Sequence, residues 1–187
     1  GKFNIDTNSI AASACVACIA NTNTALEGAA TASLCISHAG YYCTEGDCAA
    51  NAPVKCPDFS DCPAGSVTKA HCIADLNYYC TTDCAANDPA ACPVNKVTAL
   101  VGKTDVADCI SKEGWYCAAG AGECTTECPD NSEGEQGITA ITQCTASPGY
   151  YCTPPNCATN APTMCPTNTF TDTAGTRTVV ADCKAKP

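Results

Sequence analysis

The chain has 187 residues, 20 of them cysteine, with 19 acidic against 9 basic side chains and a net charge of −10. That charge argues against nucleic acid and anionic membrane surfaces as partners, because both need basic patches. Leu, Ile, Val and Phe together number 24, about 13% of 187, too few for burial alone to fold a chain of this length.

The cysteines supply what burial cannot. At about 11% of the sequence they mark a disulfide scaffold, and the even number allows ten bridges with no thiol left over. Such a scaffold belongs to an oxidising compartment: secreted, cell-surface or luminal. No apolar run approaches the roughly 18 residues of a transmembrane helix, and no signal peptide is visible. A start at Gly1 rather than Met implies a mature or trimmed product. None of the 12 Asn residues opens an Asn-x-Ser/Thr sequon, whereas the Thr-rich stretch 167–178 leaves O-glycosylation open.

Residues 1–14 form an N-terminal arm outside the repeat. Phe3, Ile5 and Thr7 alternate with polar neighbours, which predicts a short strand. That strand either joins the protein's own sheet or frays, or it pairs with a neighbouring molecule by strand addition.

From Cys15 onward one pattern recurs. Four blocks have seven residues between two cysteines and an aromatic pair before the second: Cys35 to Cys43, Cys72 to Cys80, Cys109 to Cys117 and Cys144 to Cys152. They contain all seven tyrosines and the only tryptophan: Tyr41, Tyr42, Tyr78, Tyr79, Trp115, Tyr116, Tyr150 and Tyr151. The preceding residue is Gly40, Asn77, Gly114 or Gly149, which predicts a turn with positive φ. Each block is followed by a third cysteine (Cys48, Cys84, Cys124, Cys157) and a fourth that precedes proline (Cys56, Cys92, Cys128, Cys165).

Successive first cysteines lie 37, 37, 35 and 39 residues apart, the signature of a tandem array whose units stack on their neighbours. The organisation is a truncated leading repeat at 15–34, repeats at 35–71, 72–108, 109–143 and 144–182, and a tail at 183–187. Ala50 to Pro53, Ala86 to Pro89 and Thr159 to Pro162 occupy one slot of this register; the third repeat departs from it. Segments 96–101, 138–142, 66–68 and 176–180 are β-branched and predict strands, with turns at Ala174-Gly175 and Gly102-Lys103. The Ala-rich stretch from Thr24 to Leu34 predicts a helical turn or two. The fold class is therefore a small, disulfide-rich, mainly β protein, an elongated tandem array of about four repeats of ~37 residues with little helix.

The repeat ends constrain the bridges. Cys18 lies 17 residues before Cys35, like the other fourth-to-first distances of 16, 17, 16 and 18. Fourth-to-first pairing gives Cys18–Cys35, Cys56–Cys72, Cys92–Cys109, Cys128–Cys144 and Cys165–Cys183. Second-to-third pairing gives Cys43–Cys48, Cys80–Cys84, Cys117–Cys124 and Cys152–Cys157, and leaves Cys15–Cys62 as the tenth. A rival scheme, first with third and second with fourth, works inside each repeat but strands Cys18 and Cys183.

Catalytic signals are weak. Cys15-Val-Ala-Cys18 has redox and half-zinc spacing, but the isolated His38 and His71 complete no zinc set and no βαβ pattern surrounds it, so it reads as structural. The acidic stretch 130–135 lacks Gly at its sixth position and a following bidentate Glu, so it reads as a solvated turn rather than a calcium loop. Two histidines and no Gly-x-Ser-x-Gly leave no nucleophile elbow. No enzyme, cofactor or metal site is expected. The aromatic pairs read as packing between repeats rather than as a ligand platform, since adjacent residues of an extended chain face opposite ways.

The Cys-x7-Cys units ending in Gly-Tyr-Tyr-Cys, with Cys-Pro openings such as Cys62-Pro-Ala-Gly-Ser-Val-Thr, resemble the cysteine-rich surface (immobilization) antigens of ciliates over roughly residues 15–183. The resemblance implies a secreted, Ala/Thr/Cys-rich coat protein, usually held by a lipid anchor. Two features depart from that family: CxxC occurs once, and no hydrophobic anchor tail follows Lys186-Pro187, so an anchor is not visible here. Similar phrases occur in receptor-type cysteine-rich repeats, which keeps a ligand-binding ectodomain in view. A third reading is a filament subunit that adds to itself, either through the arm or head to tail, because Cys18 is a fourth-type end and Cys183 a first-type end.

Overall fold

The structure is a computed structural model. It describes residues 2–4, 15–25, 29, 31–44, 48–49, 51–82, 84–118, 122–153, 157, 161–171 and 180–185. Ile5, Thr7, Thr159, Asn160, Ala174, Gly175 and residues 176–179 lie outside the described residues, as do the Thr-rich positions in 172–178. The chain divides into two compact units, residues 1–91 with 100–108, and residues 92–99 with 109–187.

Every sheet among the described residues is a two-stranded antiparallel hairpin. Two kinds alternate along the chain. In the first, the strand after a fourth cysteine pairs with the strand at the next first cysteine: Thr22–Thr24 with Cys35–Ser37, Ser60–Asp61 with Ile73–Ala74, Lys96–Thr98 with Cys109–Ser111, Ser132–Glu133 with Thr145–Ala146, and Thr169–Phe170 with Lys184–Ala185. We call these bridge hairpins. In the second, the aromatic pair is matched to the strand before the fourth cysteine: Tyr41–Tyr42 with Val54–Lys55, Tyr78–Tyr79 with Ala90–Ala91, Trp115–Tyr116 with Thr126–Glu127, and Tyr150–Tyr151 with Thr163–Met164. These are the aromatic hairpins. The N-terminal arm is paired inside the chain, Lys2–Asn4 against Cys15–Ala17 with Phe3 opposite Val16.

Isolated two-residue hairpins are marginal in water, so something other than the ladder must hold them. Nine disulfides do so. The bridges Cys18–Cys35, Cys56–Cys72, Cys92–Cys109, Cys128–Cys144 and Cys165–Cys183 close the bridge hairpins. The bridges Cys43–Cys48, Cys80–Cys84, Cys117–Cys124 and Cys152–Cys157 close short loops inside the aromatic hairpins. Burial follows the sulfur. Among the described residues the buried apolar set is fifteen cysteines plus Ala29, Tyr42, Ala74, Ile138 and Ala146. Ile138 is thus the single aliphatic larger than Ala in that set, while Leu76, Val94, Leu100, Val101 and Met164 are all more than half exposed. The protein is a cysteine-rich β protein with a cystine core.

Two expectations from sequence need correction here, the strand bounds and the tenth bridge. Segment 138–142 is not a strand: Ile141–Gln143 is a single 3-10 turn, and the strand of that repeat is Ser132–Glu133. At 96–101 the expected strand is confined to Lys96–Thr98, and at 66–68 Ser66 makes one bridge to Tyr42. The reason is the bridge itself: its hairpin places the strand four to six residues after the fourth cysteine, and the β-branched residues beyond form the loop that returns to the first. The Ala-rich stretch contributes one 3-10 turn, Ala32–Leu34, of the same kind that precedes Cys72 and Cys144. Finally, Cys62 is a buried free thiol, so Cys15–Cys62 is not formed. Its sulfur faces inward, donating to the Tyr41 carbonyl oxygen at 3.3 Å.

Candidate functional site: the joint between hairpins

Among the described residues three kinds of tight turn recur that need a residue at positive φ in third place, a position suited to Gly or Asn. The first precedes the aromatic pair, at Gly40 (φ 77°), Asn77 (70°), Gly114 (80°) and Gly149 (87°). It is closed by an N–H from the first aromatic residue, as from Tyr41 to the His38 carbonyl at 3.1 Å and from Trp115 to that of Lys112 at 3.0 Å. The second lies three residues after each fourth cysteine, at Asn21, Phe59, Asn95, Asn131 and Asn168, with φ between 58° and 64°. Its closing residue often adds a hydroxyl bond: Ser60 Oγ donates to the Pro57 carbonyl at 2.7 Å, and Thr169 Oγ1 to that of Pro166 at 2.6 Å. The third is at Gly65, Gly102 and Gly137, each sitting over an isoleucine, Ile36, Ile73 and Ile110.

These turns tie successive hairpins together through backbone groups. Gly65 N–H donates to the Ser37 carbonyl at 2.9 Å, Gly102 N–H to that of Ala74 at 2.7 Å, and Gly137 N–H to that of Ser111 at 3.0 Å. One step along, Cys43 N–H reaches the Ser66 carbonyl at 2.9 Å and Cys80 N–H that of Lys103 at 2.9 Å. Gly40 N–H donates to the Cys62 carbonyl and Gly114 N–H to that of Gly134, both at 2.9 Å. At Gly149 the same N–H is received instead by Thr171 Oγ1, at 2.6 Å. Ser37 and Ser111 thicken the joint, since their hydroxyls donate to the carbonyls of Ser66 at 3.2 Å and Ile138 at 2.9 Å. Ala74 and Ala146 hold the same slot, fully buried, without a hydroxyl. Breaking such a bond where its partner is buried leaves an unsatisfied polar group, costing about 1–3 kcal/mol.

The aromatic residues sit at the margins of this joint. Tyr42 is buried with Cys56, Cys62, Cys72, Ala74, Cys80 and Cys84, and Tyr78 packs on that cluster from outside. Tyr150 packs on Ala146, Cys152 and Cys157 in the same way. Tyr41, Tyr79, Trp115, Tyr116 and Tyr151 are half-buried. Sequence reasoning assigns the joint to the aromatic pairs; it misses the paired backbone groups and the turns after each fourth cysteine. A signal for those turns is present, namely Asn in four of the five positions three residues after Cys18, Cys56, Cys92, Cys128 and Cys165.

The fifth position is Phe59, which holds the same left-handed backbone at φ 64° although it is bulky. Such a conformation costs an ordinary L-residue roughly 1–2 kcal/mol. Phe59 recovers part of this by stacking on Tyr78, with ring centroids 4.3 Å apart and planes within 7°. More than half of Phe59's surface faces solvent, while Tyr78 is half-buried against the cystine cluster.

The remaining chemistry-bearing residues are dispersed. Cys18 is bonded to Cys35, which removes it from any CxxC dithiol; the side chain of Cys15 lies outside the described residues. His38 and His71 are exposed, with His71 Nδ1 accepting the Val67 N–H at 3.4 Å. Asn131 turns the acidic stretch 130–135 into the start of a bridge hairpin. Lys55 pairs with Asp58 at 2.8 Å on the surface. Lys103 pairs with Asp108 at 3.3 Å, and its hydrogen bond holds the Asp108 carboxyl below the usual carboxylate value. Among the described residues one sulfur cluster has metal-like spacing, Cys56, Cys62 and Cys72, two of which are already joined. No helix among them is long and apolar enough to cross a membrane. No known protein family, curated protein or solved structure matches the chain.

Proposed function

We propose that the chain is a non-enzymatic structural component of an extracellular coat, built as a disulfide-stapled repeat array. Nine disulfides suit an oxidising environment outside the reducing cytosol. The observation that carries the coat reading is the recurrence of one joint: a backbone bond from one bridge hairpin to the preceding one, written again at Gly65, Gly102 and Gly137. A scaffold whose joints recur along the chain serves extension and durability, while a binding site is made where one repeat departs from the others. The resemblance to ciliate surface antigens points the same way. The reading assigns no catalytic residue and no cofactor.

One observation favours a second reading, a ligand-binding ectodomain. The stack of exposed Phe59 on half-buried Tyr78 breaks the repeat in one place, and an exposed aromatic face suits sugar rings or apolar side chains. Immunogold electron microscopy of intact, unpermeabilised source cells separates the readings. A continuous layer of label on the cell exterior is expected. Label confined to intracellular compartments contradicts the coat; label along discrete fibres identifies a polymerising subunit. Saturable glycan or peptide binding lost in Phe59→Asn identifies the ectodomain.

A further inference from the structure

Cys62, like Cys15, has no counterpart in the other repeats. It occupies the sixth position after a fourth cysteine, where the other units carry Thr24, Thr98, Gly134 and Thr171. Hairpin register shows what that position faces. Thr24 is paired with Cys35 and Thr98 with Cys109, both of them first cysteines. In the second bridge hairpin Ser60 pairs with Ala74 and Asp61 with Ile73, so the next step brings Cys62 opposite Cys72. Cross-strand neighbours in an antiparallel pair have Cα atoms about 4.5–5.5 Å apart, inside the range a disulfide spans.

The sulfurs agree with the register. Those of Cys56, Cys62 and Cys72 all lie within 4.8 Å of one another, and all three residues are buried. Cys72 is bonded to Cys56, and Cys62 holds a free thiol beside that bond. A hollow of about 260 Å³ outside the hairpin is lined by Cys62 together with Ala39, Asp61 and Pro63.

We propose that Cys62 is a second partner for Cys72, and that this hairpin exchanges between two disulfide isomers. Cys62 gives its proton to water, and its thiolate attacks the Cys72 sulfur. The Cys62–Cys72 bond forms as the Cys56–Cys72 bond breaks; Cys56 leaves as a thiolate and takes up a proton. One disulfide and one thiol stand on each side, so no oxidant or reductant is consumed. The exchange moves the staple. In the Cys56–Cys72 isomer it ties the end of the Tyr41–Tyr42 aromatic hairpin to the following bridge hairpin. In the Cys62–Cys72 isomer it lies wholly within the bridge hairpin, and the joint keeps only its hydrogen bonds, among them Cys56 N–H to the Gly40 carbonyl at 2.9 Å. The second bridge hairpin is thus a place where the array can be loosened covalently without reduction.

The test compares Cys56→Ser with Cys92→Ser. In Cys56→Ser, Cys62 is expected to bridge Cys72, so the denatured protein titrates one thiol fewer than wild type. In Cys92→Ser the facing residue is Thr98, so Cys109 is left open and one thiol more is expected. If Cys56→Ser leaves Cys62 and Cys72 both titratable, the proposal fails. Wild-type protein supplies a measurement free of folding artefacts: native labelling with N-ethylmaleimide, acid quench and unreduced peptide mapping. Label is expected on Cys56 as well as Cys62, with the Cys56 label lost in Cys62→Thr. Label on Cys62 alone, or recovery of a Cys56–Cys62 or Cys15–Cys62 bridge, overturns it.

Discussion

Phe59 offers a quantitative test of how this fold balances backbone strain against ring packing. Its φ of 64° costs a phenylalanine roughly 1–2 kcal/mol, whereas asparagine, the residue at the four equivalent turns, tolerates it. The parallel stack on Tyr78 returns about 0.5–1.5 kcal/mol beyond area burial. The two terms nearly cancel. Phe59→Asn is therefore expected to leave local stability within about 0.5 kcal/mol of wild type, while Phe59→Ala loses the stack, keeps much of the strain and costs about 1 kcal/mol. Combining Phe59→Ala with Tyr78→Ala closes a double-mutant cycle whose coupling is expected near 1 kcal/mol, on the order of an aromatic pair. Global unfolding is a poor readout in a chain this heavily cross-linked. Native-state hydrogen exchange is better, because the amides of Ser60, Asp75 and Tyr78 are bonded within this turn and its partner, at 3.1, 3.0 and 3.1 Å. A coupling below about 0.3 kcal/mol, or a Phe59→Asn loss as large as that of Phe59→Ala, refutes the balance.

Two further outcomes follow from side chains at the joints. A Cβ added to Gly134 would lie 2.3 Å from Ile138 Cδ1 and 2.9 Å from Cys128 Sγ. Gly134→Ala is expected to destabilise its hairpin by about 1–3 kcal/mol, with Ile138→Val in the same chain recovering part of that, both read by exchange at the Gly137 amide. For pH, the Asp108 carboxyl titrates below its unfolded value because Lys103 donates a hydrogen bond to it. A depressed folded value means that the pair's contribution is complete above the unfolded carboxylate value of about 3.9 and is lost as pH falls through the folded one. NMR titration should show the Asp108 midpoint rising in Lys103→Met; an unchanged midpoint removes the pair from the account.

How much of the fold is legible in the sequence depends on which interaction carries each feature. Cysteine density and scarce aliphatics announce a cystine core, because no other buried material is available in quantity. Gly40, Asn77, Gly114 and Gly149 announce their turns, because a positive φ restricts residue type at a single position. Strand placement is less legible. In 138–142 the β-branched composition reads as strand, yet covalent closure between Cys128 and Cys144 fixes the pairing at Ser132–Glu133 and bends the later residues into a 3-10 turn. The joint is least legible, since it consists of backbone groups of Gly65, Gly102 and Gly137 meeting carbonyls far away in sequence, and such bonds leave little trace in composition. Aromatic residues are conspicuous in a sequence; in the fold most of them are half-buried, and Tyr78 and Tyr150 pack on cystine clusters from outside. Parity alone makes Cys62 half of a tenth bridge, whereas register places it opposite Cys72.

The central claim is that cystines, and not an apolar core, hold these repeats together. It is tested most directly by reducing the protein fully, alkylating every thiol under denaturing conditions and recording its amide NMR spectrum after return to native buffer. The account predicts collapse of chemical-shift dispersion to that of an unfolded chain and loss of exchange protection at Gly65, Gly102 and Gly137, because the hairpins alone are too short to persist. A dispersed spectrum with those three amides still protected would contradict it.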